Sequence, residues 1–269
     1  MTTTRIRRCG EAALLLDCAD LAEAVSVAGR AERLRPEPLD VVAAARTVLV
    51  TARDPSDLPA LRRSLEALLA DPDDPLPGRD IRYPYVGSGY GGGVADSVEG
   101  GRGVTIDVRY DGPDLAAVAD LAGMSTETLV RTHTSIAWRA AFGGFAPGFL
   151  YLVDARELDA RELDGRELDG REGDARERDA RGPDAGPDLP AVPRLDSPRA
   201  RVPAGSVGLA DRFCAVYPGA SPGGWRLLGT TDVRLWDLDR PDPALLAPGM
   251  TVRFRDVAGS GGSGPDAAR

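Results

Sequence analysis

His133 is the only histidine in this sequence of 269 residues, and it is the first candidate for acid–base chemistry. No lysine occurs, because all 33 basic residues are arginines. The missing lysine excludes a Walker A phosphate site, a Schiff base and a pyridoxal-phosphate attachment within this chain. A single histidine excludes two-histidine metal motifs, and we predict no metal site. These residues favour a binding module, or a subunit that completes an active site with other chains.

Two nucleophile pairings stay open at this point. A Ser-His-acid triad is formally possible, and so is a pair of Cys214 with His133, although no local signature accompanies the cysteine. The three cysteines lack C-x-x-C spacing and are typical of reduced thiols, not of a disulfide framework or zinc site. A structural role for His133 is the alternative. It is predicted near the C-terminal end of a helix, where the helix dipole favours a protonated capping histidine.

The segment GGFAPGFLYL, residues 143–152, holds three aromatics, one proline and three glycines, and begins ten residues after His133. Its composition fits a binding loop that presents aromatic side chains. It equally fits a core strand with a tight turn. The residues alone do not separate these interpretations.

The formal net charge of −9 argues against binding to nucleic acid or to anionic lipid. The apolar run near the N-terminus is about five residues long, shorter than a signal-peptide core. No other segment approaches the length of a membrane span. We therefore expect a cytoplasmic protein.

The first 85 residues are predicted to form a small α/β domain. Periodicity and β-branched residues indicate the order β-α-β-β-α-β, an open sheet with helices on one face. The segments are a strand at 11–18, a helix at 21–34, one bent or two separate strands at 39–52, a helix at 56–70 and a returning strand at 79–85.

Residues 86–103 are rich in glycine and contain a formal G-x-G-x-x-G match beginning at Gly87. No apolar helix follows, so the match lacks the helix N-terminus that would hold a pyrophosphate, and we interpret the segment as a linker. A strand at 104–110 and two helices come next, with Asp111 in the first N-cap region and Ser125 as the second cap. Short strands between residues 189 and 257, including one at 232–238, predict a β-barrel or sandwich.

A five-residue ARELD-type repeat occupies about 155–184, within a predicted disordered insertion at 155–188. It contains 7 Arg against 11 Asp plus Glu and offers no apolar stripe. We expect a tandem expansion tolerated in a surface loop, since lengthening a loop costs little entropy. Residues 258–269 are predicted to be a flexible tail.

Three segments carry a family resemblance: RTHTSIAWRAAFGGFAPGFLYL, VPRLDSPRARVPAGSVGLA, and YPGASPGGWRLLGT with its S-P-G-G-W motif. Together they resemble the B-subunit family of bacterial ATP-dependent 5-oxoprolinase. That family also includes the Kip inhibitor of a sporulation histidine kinase and the allophanate hydrolase subunit 1 part of urea carboxylase. The resemblance is strong over about 104–257 and weaker over 1–85. It implies an α+β fold, with a small α/β N-terminal domain followed by a cyclophilin-like β-barrel at 104–257.

The resemblance also implies site residues. His133 would be catalytic, as an acid, base or hydrogen-bond donor, and the arginines would hold a carboxylate or phosphate. Barrel-rim salt bridges are the alternative for the arginines, and core packing is the alternative for the phenylalanines. The implied substrate-binding residues are Phe145, Pro147, Gly148, Phe149, Tyr151, Arg194, Arg199 and Ser206. One departure stands out: relatives usually read N-Q-T-G-I-Y-P where this chain has Arg212-Phe213-Cys214 and the residues that follow.

The implied function is that of the B subunit in an ATP-dependent complex that converts 5-oxo-L-proline to L-glutamate. ATP, with magnesium, would be bound by the complex. Proteins like the C and A subunits of 5-oxoprolinase would be its partners, and the A-type partner would complete the hydrolysis. The alternatives are a non-enzymatic inhibitor of a histidine kinase, or a carboxyltransferase component of a urea carboxylase-like enzyme.

Overall fold

A computed structural model describes residues 4–70, 103–158 and 188–257. The returning strand predicted at 79–85, nearly all of the glycine-rich linker, most of the repeat and the tail lie outside these residues. Gly103, assigned to the linker by composition, is the first residue of a strand.

The N-terminal unit is a four-stranded antiparallel sheet with two helices on one face. Alternate strand residues, among them Leu16 and Val50, are fully buried against the helices. Asp20 caps the first helix by accepting a hydrogen bond from the backbone N–H of Glu23. The elements are β1 (Arg5–Cys9), β2 (Ala13–Asp17), α1 (Leu21–Ala31), β3 (Asp40–Ala43), β4 (Thr47–Thr51) and α2 (Leu58–Ala70).

The second unit is a seven-stranded sheet whose strands, in spatial order, are β12 (Arg226–Thr230), β9 (Ser206–Ala210), β10 (Phe213–Val216), β7 (Leu150–Asp154), β6 (Trp138–Gly143), β13 (Thr251–Asp256) and β5 (Gly103–Val108). Its two outer strands meet where Arg109 and Thr230 exchange two backbone hydrogen bonds of 2.8 Å, which closes the sheet into a barrel. Two helices, α3 (Leu115–Leu121) and α4 (Thr126–Ser135), follow β5. The strands β8 (Arg199–Val202) and β11 (Ser221–Gly223) pair with each other in a separate two-stranded sheet.

Two glycines permit the barrel to close along this seam. A Cβ atom added to Gly229 would lie 2.2 Å from the carbonyl oxygen of Arg109, and one added to Gly112 would lie 2.3 Å from that of Leu227. Both contacts are with backbone atoms that cannot rotate away. Glycine is therefore required at each position by the close approach of two backbones.

The two units pack against each other through a small apolar cluster. Leu21 at the start of α1 contacts buried residues of the β6–β7 hairpin, including Phe142 and Val153. Phe142 is 7 % exposed and Val153 is fully buried, so this contact is part of the interior of the molecule.

The α+β fold with a small N-terminal domain and a β-barrel is confirmed, but two local predictions are wrong. Residues 232–238 do not form a strand, and only the isolated bridge of Trp236 with Ala244 lies there. Asp111 is not the cap of α3, because that helix begins at Leu115 and Asp111 binds the Thr230 hydroxyl instead. In the described segments, no helix combines the length and apolar character needed to cross a membrane.

Candidate functional site at the barrel rim

The segment GGFAPGFLYL is the turn between β6 and β7. Phe145 has φ of 68°, and the backbone N–H of Ala146 donates to the carbonyl of Gly144, which makes the rare γ-turn with positive φ at its centre. Phe145 itself is 61 % exposed. Gly148 also has positive φ, and a Cβ there would lie 3.0 Å from the Cβ of Trp236, so glycine is required twice over. The segment is thus both a tight turn and the carrier of an exposed aromatic ring.

Trp225, from the S-P-G-G-W motif, is the residue on which the separate motifs meet. The rings of Phe149 and Tyr151 lie edge-on to it, with centroids at 5.5 and 5.6 Å. The Arg194 guanidinium lies 5.8 Å from its centroid, in cation–π geometry. Arg199 donates a hydrogen bond of 3.2 Å to its backbone carbonyl. Residues far apart in the sequence therefore form one contiguous cluster, in which Trp225 and Phe149 are only 4 % and 2 % exposed. The core packing offered as the alternative role of Phe149 is present.

Tyr217, the residue directly after β10, extends this aromatic group towards the interior. Its ring packs edge-on against Phe149 at 5.4 Å, and the residue is 1 % exposed. Burial raises the pKa of Tyr217. The hydroxyl is therefore neutral at physiological pH.

Asp114 fixes the position of Arg199. The Nη2 of Arg199 donates to both carboxylate oxygens of Asp114, at 2.7 and 2.8 Å. Asp114 also accepts a 2.7 Å hydrogen bond from the backbone N–H of Leu227. The two side chains are 9 % and 27 % exposed, so the pair is largely desolvated and its geometry is well determined. The salt bridge proposed as the alternative role of Arg199 is present.

A cleft of about 270 Å³ opens beside this ion pair, along the seam that closes the barrel. Arg199 and Ser206 contribute to its wall, together with Asp111, which follows β5 by three residues, and Thr230, the last residue of β12. Apolar wall atoms come from Pro113, Pro203 and Leu227 and from the glycines at 112 and 229.

His133 lies neither in the aromatic cluster around Trp225 nor in the wall of the cleft. It is fully buried, with its ring 4.7 Å from the Phe254 ring and 5.1 Å from the Trp138 ring between centroids. Its Nδ1 is 2.7 Å from the Tyr110 hydroxyl, and its Nε2 is 3.3 Å from the Cys214 sulfur. A neutral imidazole donates from one nitrogen and accepts at the other, so both contacts can be satisfied at once.

All three groups in this buried row are neutral. Burial lowers the pKa of His133 to about 3, and it raises the pKa of the Tyr110 hydroxyl and of the Cys214 thiol. The protonated capping histidine offered as the structural alternative is therefore wrong, because desolvation outweighs the helix dipole. The Cys–His pair exists as a contact, but a buried neutral thiol lacks the thiolate that nucleophilic attack requires. The catalytic role of His133 stays a prediction.

The structure thus brings most of the predicted site residues together. Phe149, Tyr151 and Arg194 lie around Trp225, and Arg199 links this group to the cleft that Ser206 also lines. Phe145 contacts Phe149 and not Trp225, Gly148 lies against Trp236, and Pro147 is exposed in the same turn. Sequence reasoning missed the contributions of Asp111, Asp114, Tyr217 and Trp225. Trp225 belonged to a motif already recognised, whereas nothing in the local sequence marks Asp114 as the partner of Arg199.

Sequence reasoning also missed a formal G-x-S-x-G match at residues 219–223. The structure places its serine, Ser221, in β11, which pairs with β8 and does not lead into a helix. The buried Ser221 hydroxyl has no hydrogen-bond partner among the described residues. Because the strand-to-helix turn of a nucleophile elbow is absent there, the match carries no hydrolase assignment.

Comparison with known proteins identifies the family. A family model described as the carboxyltransferase domain, subdomain C and D, matches residues 4–161 and 185–246, which is most of the chain. The chain belongs to this carboxyltransferase-domain family. The match leaves out 162–184, the greater part of the repeat, in agreement with the repeat lying outside the resemblance.

Curated relatives carry the name of the 5-oxoprolinase B subunit. The protein of Escherichia coli O157:H7 is 37% identical over 156 residues, which is 57% of this chain and 57% of that protein. The Bacillus subtilis protein is 33% identical over 156 residues, 57% of this chain and 52% of that protein. The matched region therefore spans little more than half the length of these relatives, and the recognised resemblance to the 5-oxoprolinase B subunit is confirmed at the level of the family.

Solved structures show the same carboxyltransferase-domain fold. The match with the crystal structure of TTHA0988 spans 97% of this chain and 41% of the TTHA0988 chain, with a TM-score of 0.57 and 29% sequence identity. The match with the Kluyveromyces lactis urea carboxylase spans 96% of this chain and 22% of the urea carboxylase chain, with a TM-score of 0.58. At 15% identity, the urea carboxylase likeness shows the fold alone.

The departure from the family pattern has a structural counterpart. Phe213 packs edge-on against Phe142 and Tyr151, at 5.8 and 5.6 Å between centroids, and so joins the aromatic group to the contact with the N-terminal unit. Arg212 lies beside it in the turn and forms an exposed ion pair with Glu157. The Phe213 ring therefore fills the position at which the family resemblance predicts an amide.

Proposed function

We propose that this chain acts as the B subunit of an ATP-dependent 5-oxoprolinase complex, helping to activate and open 5-oxo-L-proline. The observation that supports this most directly is the meeting of the three shared segments around Trp225. The turn, the Arg194–Ser206 stretch and the S-P-G-G-W motif are separate in sequence but adjacent in space. Curated relatives named for the B subunit of 5-oxoprolinase give the proposal its substrate.

The lactam carbonyl must be activated before the ring can be opened. A lactam carbonyl resists attack by water, and transfer of the γ-phosphoryl group of ATP to the lactam oxygen releases ADP and creates a good leaving group. A first water adds to the activated carbon and the ring C–N bond breaks, with the nitrogen leaving as the amine, which gives the γ-phosphorylated form of glutamate. A second water then releases phosphate and leaves glutamate. The rim would bind and orient the ring, with Arg194 and Arg199 supplying cationic donors.

ATP is assigned to the complex and not to a place in this chain. Residues 4–70, 103–158 and 188–257 contain no cluster of three or more His, Cys, Asp or Glu side chains suited to a metal ion. We assign no described residue to nucleotide or magnesium binding, and the phosphoryl transfer is proposed as a step of the complex. Partners of the C and A types are part of the same proposal.

The test is ATP hydrolysis stimulated by 5-oxo-L-proline, with the chain co-purified with its C-type and A-type partners. We expect stimulation from the full set and none when this chain is omitted. Stimulation that persists without this chain would refute the proposal. If instead the chain suppresses autophosphorylation of a histidine kinase and the full set is not stimulated, the inhibitor function replaces it.

A further inference from the structure

We propose that the seam cleft is where the lactam ring binds, and that Asp111 is a substrate-recognition residue that accepts a hydrogen bond from the ring N–H. This inference rests on the proposed function for the identity of its ligand. The ligand class is a small cyclic amide that carries an N–H donor on one side and anionic or carbonyl oxygens on the other.

The size and lining of the cleft favour such a ring. Its volume of about 270 Å³ lies just below the usual range of small-molecule pockets, so it suits a single ring and not a nucleotide. Pro113, Pro203 and Leu227 provide apolar surface for the methylene carbons of the ring. Asp111 and Arg199 are the charged residues that line it.

Arg199 retains donors that its internal bonds do not use. Its Nη2 is committed to Asp114 and one Nη1 bond goes to the carbonyl of Trp225, while no bond from its Nε–H is found among the described residues. Because Asp114 holds the guanidinium, binding a ligand oxygen would cost little further side-chain ordering. Arg199 is thus suited to the carboxylate or carbonyl oxygen of the ligand.

Asp111 supplies the opposite kind of group. Its carboxylate accepts from the Thr230 hydroxyl, at 2.9 and 3.2 Å to its two oxygens. A carboxylate can accept about four hydrogen bonds, so it keeps capacity for a donor from the ligand. The Thr230 contact also orients it at the seam. The N–H of a lactam would donate a hydrogen bond to the Asp111 carboxylate, whereas many cyclic carboxylic acids have no such donor.

The test compares Asp111→Asn with Asp232→Asn. Asp232 is a matched control, because it is an exposed carboxylate at the same seam, bonded to Arg109, and it does not line the cleft. In the active complex we expect Asp111→Asn to raise the KM for 5-oxo-L-proline by about tenfold, as for loss of one charge-assisted hydrogen bond. We expect kcat within about threefold of the unmodified value, and no change with Asp232→Asn. An unchanged KM in Asp111→Asn overturns the cleft assignment while the proposed function stands.

A second measurement decides the question if the complex shows no stimulated ATP hydrolysis. Ligand-observed NMR with the full chain would use 5-oxo-L-proline and 2-pyrrolidinone, the same lactam without its carboxylate. Binding that is lost in Asp111→Asn and kept in Asp232→Asn supports the cleft even though the proposed function has failed. Absence of binding to the unmodified chain, or equal binding to both variants, overturns it. Thermal unfolding midpoints of the variants show that each is folded.

Discussion

At the scale of single residues, Phe145 combines strain with exposure. A non-glycine residue at positive φ costs about 1–2 kcal/mol, and such strain is concentrated at functional sites. The ring makes only edge contacts with Phe149 and Tyr217, so it contributes little to the core. The simplest physical account is that the turn holds this ring outward for a ligand or a partner.

Replacing Phe145 by glycine should separate the two roles. We expect Phe145→Gly to change the free energy of unfolding by less than about 1 kcal/mol, since relief of strain offsets the lost contacts and the added freedom of the unfolded chain. Phe149→Ala, at a ring only 2 % exposed, should cost about 3–5 kcal/mol. Urea unfolding measures both. Stimulated ATP hydrolysis by the complex should fall in Phe145→Gly, and unchanged turnover would show that the turn is structural only.

His133 gives a prediction that one spectrum can check, because the chain has a single histidine. With its pKa lowered to about 3 by burial, the imidazole should stay neutral, and its Hε1 resonance in tag-free protein should not shift between pH 5 and 8. The unfolded chain takes up this proton near pH 6.5. The associated stability is therefore complete above that pH and is lost as the pH falls towards 3, at about 1.4 kcal/mol per unit. A titration midpoint near 6.5 would contradict the buried, neutral assignment.

At the scale of elements, the barrel depends on the seam between β5 and β12. Gly229→Ala would place a Cβ 2.2 Å from the carbonyl of Arg109, so the two strands must separate. We expect a loss of about 3 kcal/mol or more in the free energy of unfolding, as for other substitutions that overpack the interior. Gly143→Ala is the matched control, since its new Cβ would meet only ordinary contacts at 3.8 Å. Equal stabilities of the two variants would show that the seam does not depend on close backbone approach.

The elements also show what the sequence could predict. Apolar periodicity predicted α1, α2 and most barrel strands correctly. It could do so because an element that buries one face carries apolar residues at a regular spacing within a short stretch of sequence. It missed β1, an edge strand in which three of the five residues are arginines, so that no apolar alternation is visible. It also predicted a strand at 232–238, where the backbone makes only the isolated bridge of Trp236 with Ala244. The site was predictable only as separate motifs. The Asp114–Arg199 bond joins residues 85 positions apart and depends on barrel closure, which no local pattern encodes.

At the scale of the whole molecule, the repeat begins inside the folded barrel. Ala155 is 8 % exposed and donates its backbone N–H to Ala137, Leu158 packs against the contact between the two units, and Glu157 pairs with Arg212. The chain also returns near the point where it leaves, because Arg156 lies 3.5 Å from Asp188. Residues 155–158 therefore belong to the fold, whereas the composition assigned them to the insertion.

Deletions at two boundaries should therefore behave differently. Removing 159–184 leaves residues 185–187 to join residue 158 to residue 188. Fully extended, this connection can reach about 13 Å. We expect the free energy of unfolding to stay within about 1 kcal/mol and complex formation to be intact, because shortening a loop changes its closure entropy only slightly. Removing 155–184 should instead cost about 2 kcal/mol or more, through loss of the buried Ala155 and Leu158 contacts. Urea unfolding and co-purification with the partner proteins measure these outcomes. Loss of partner binding on removal of 159–184 alone would make the repeat a docking segment and refute the prediction.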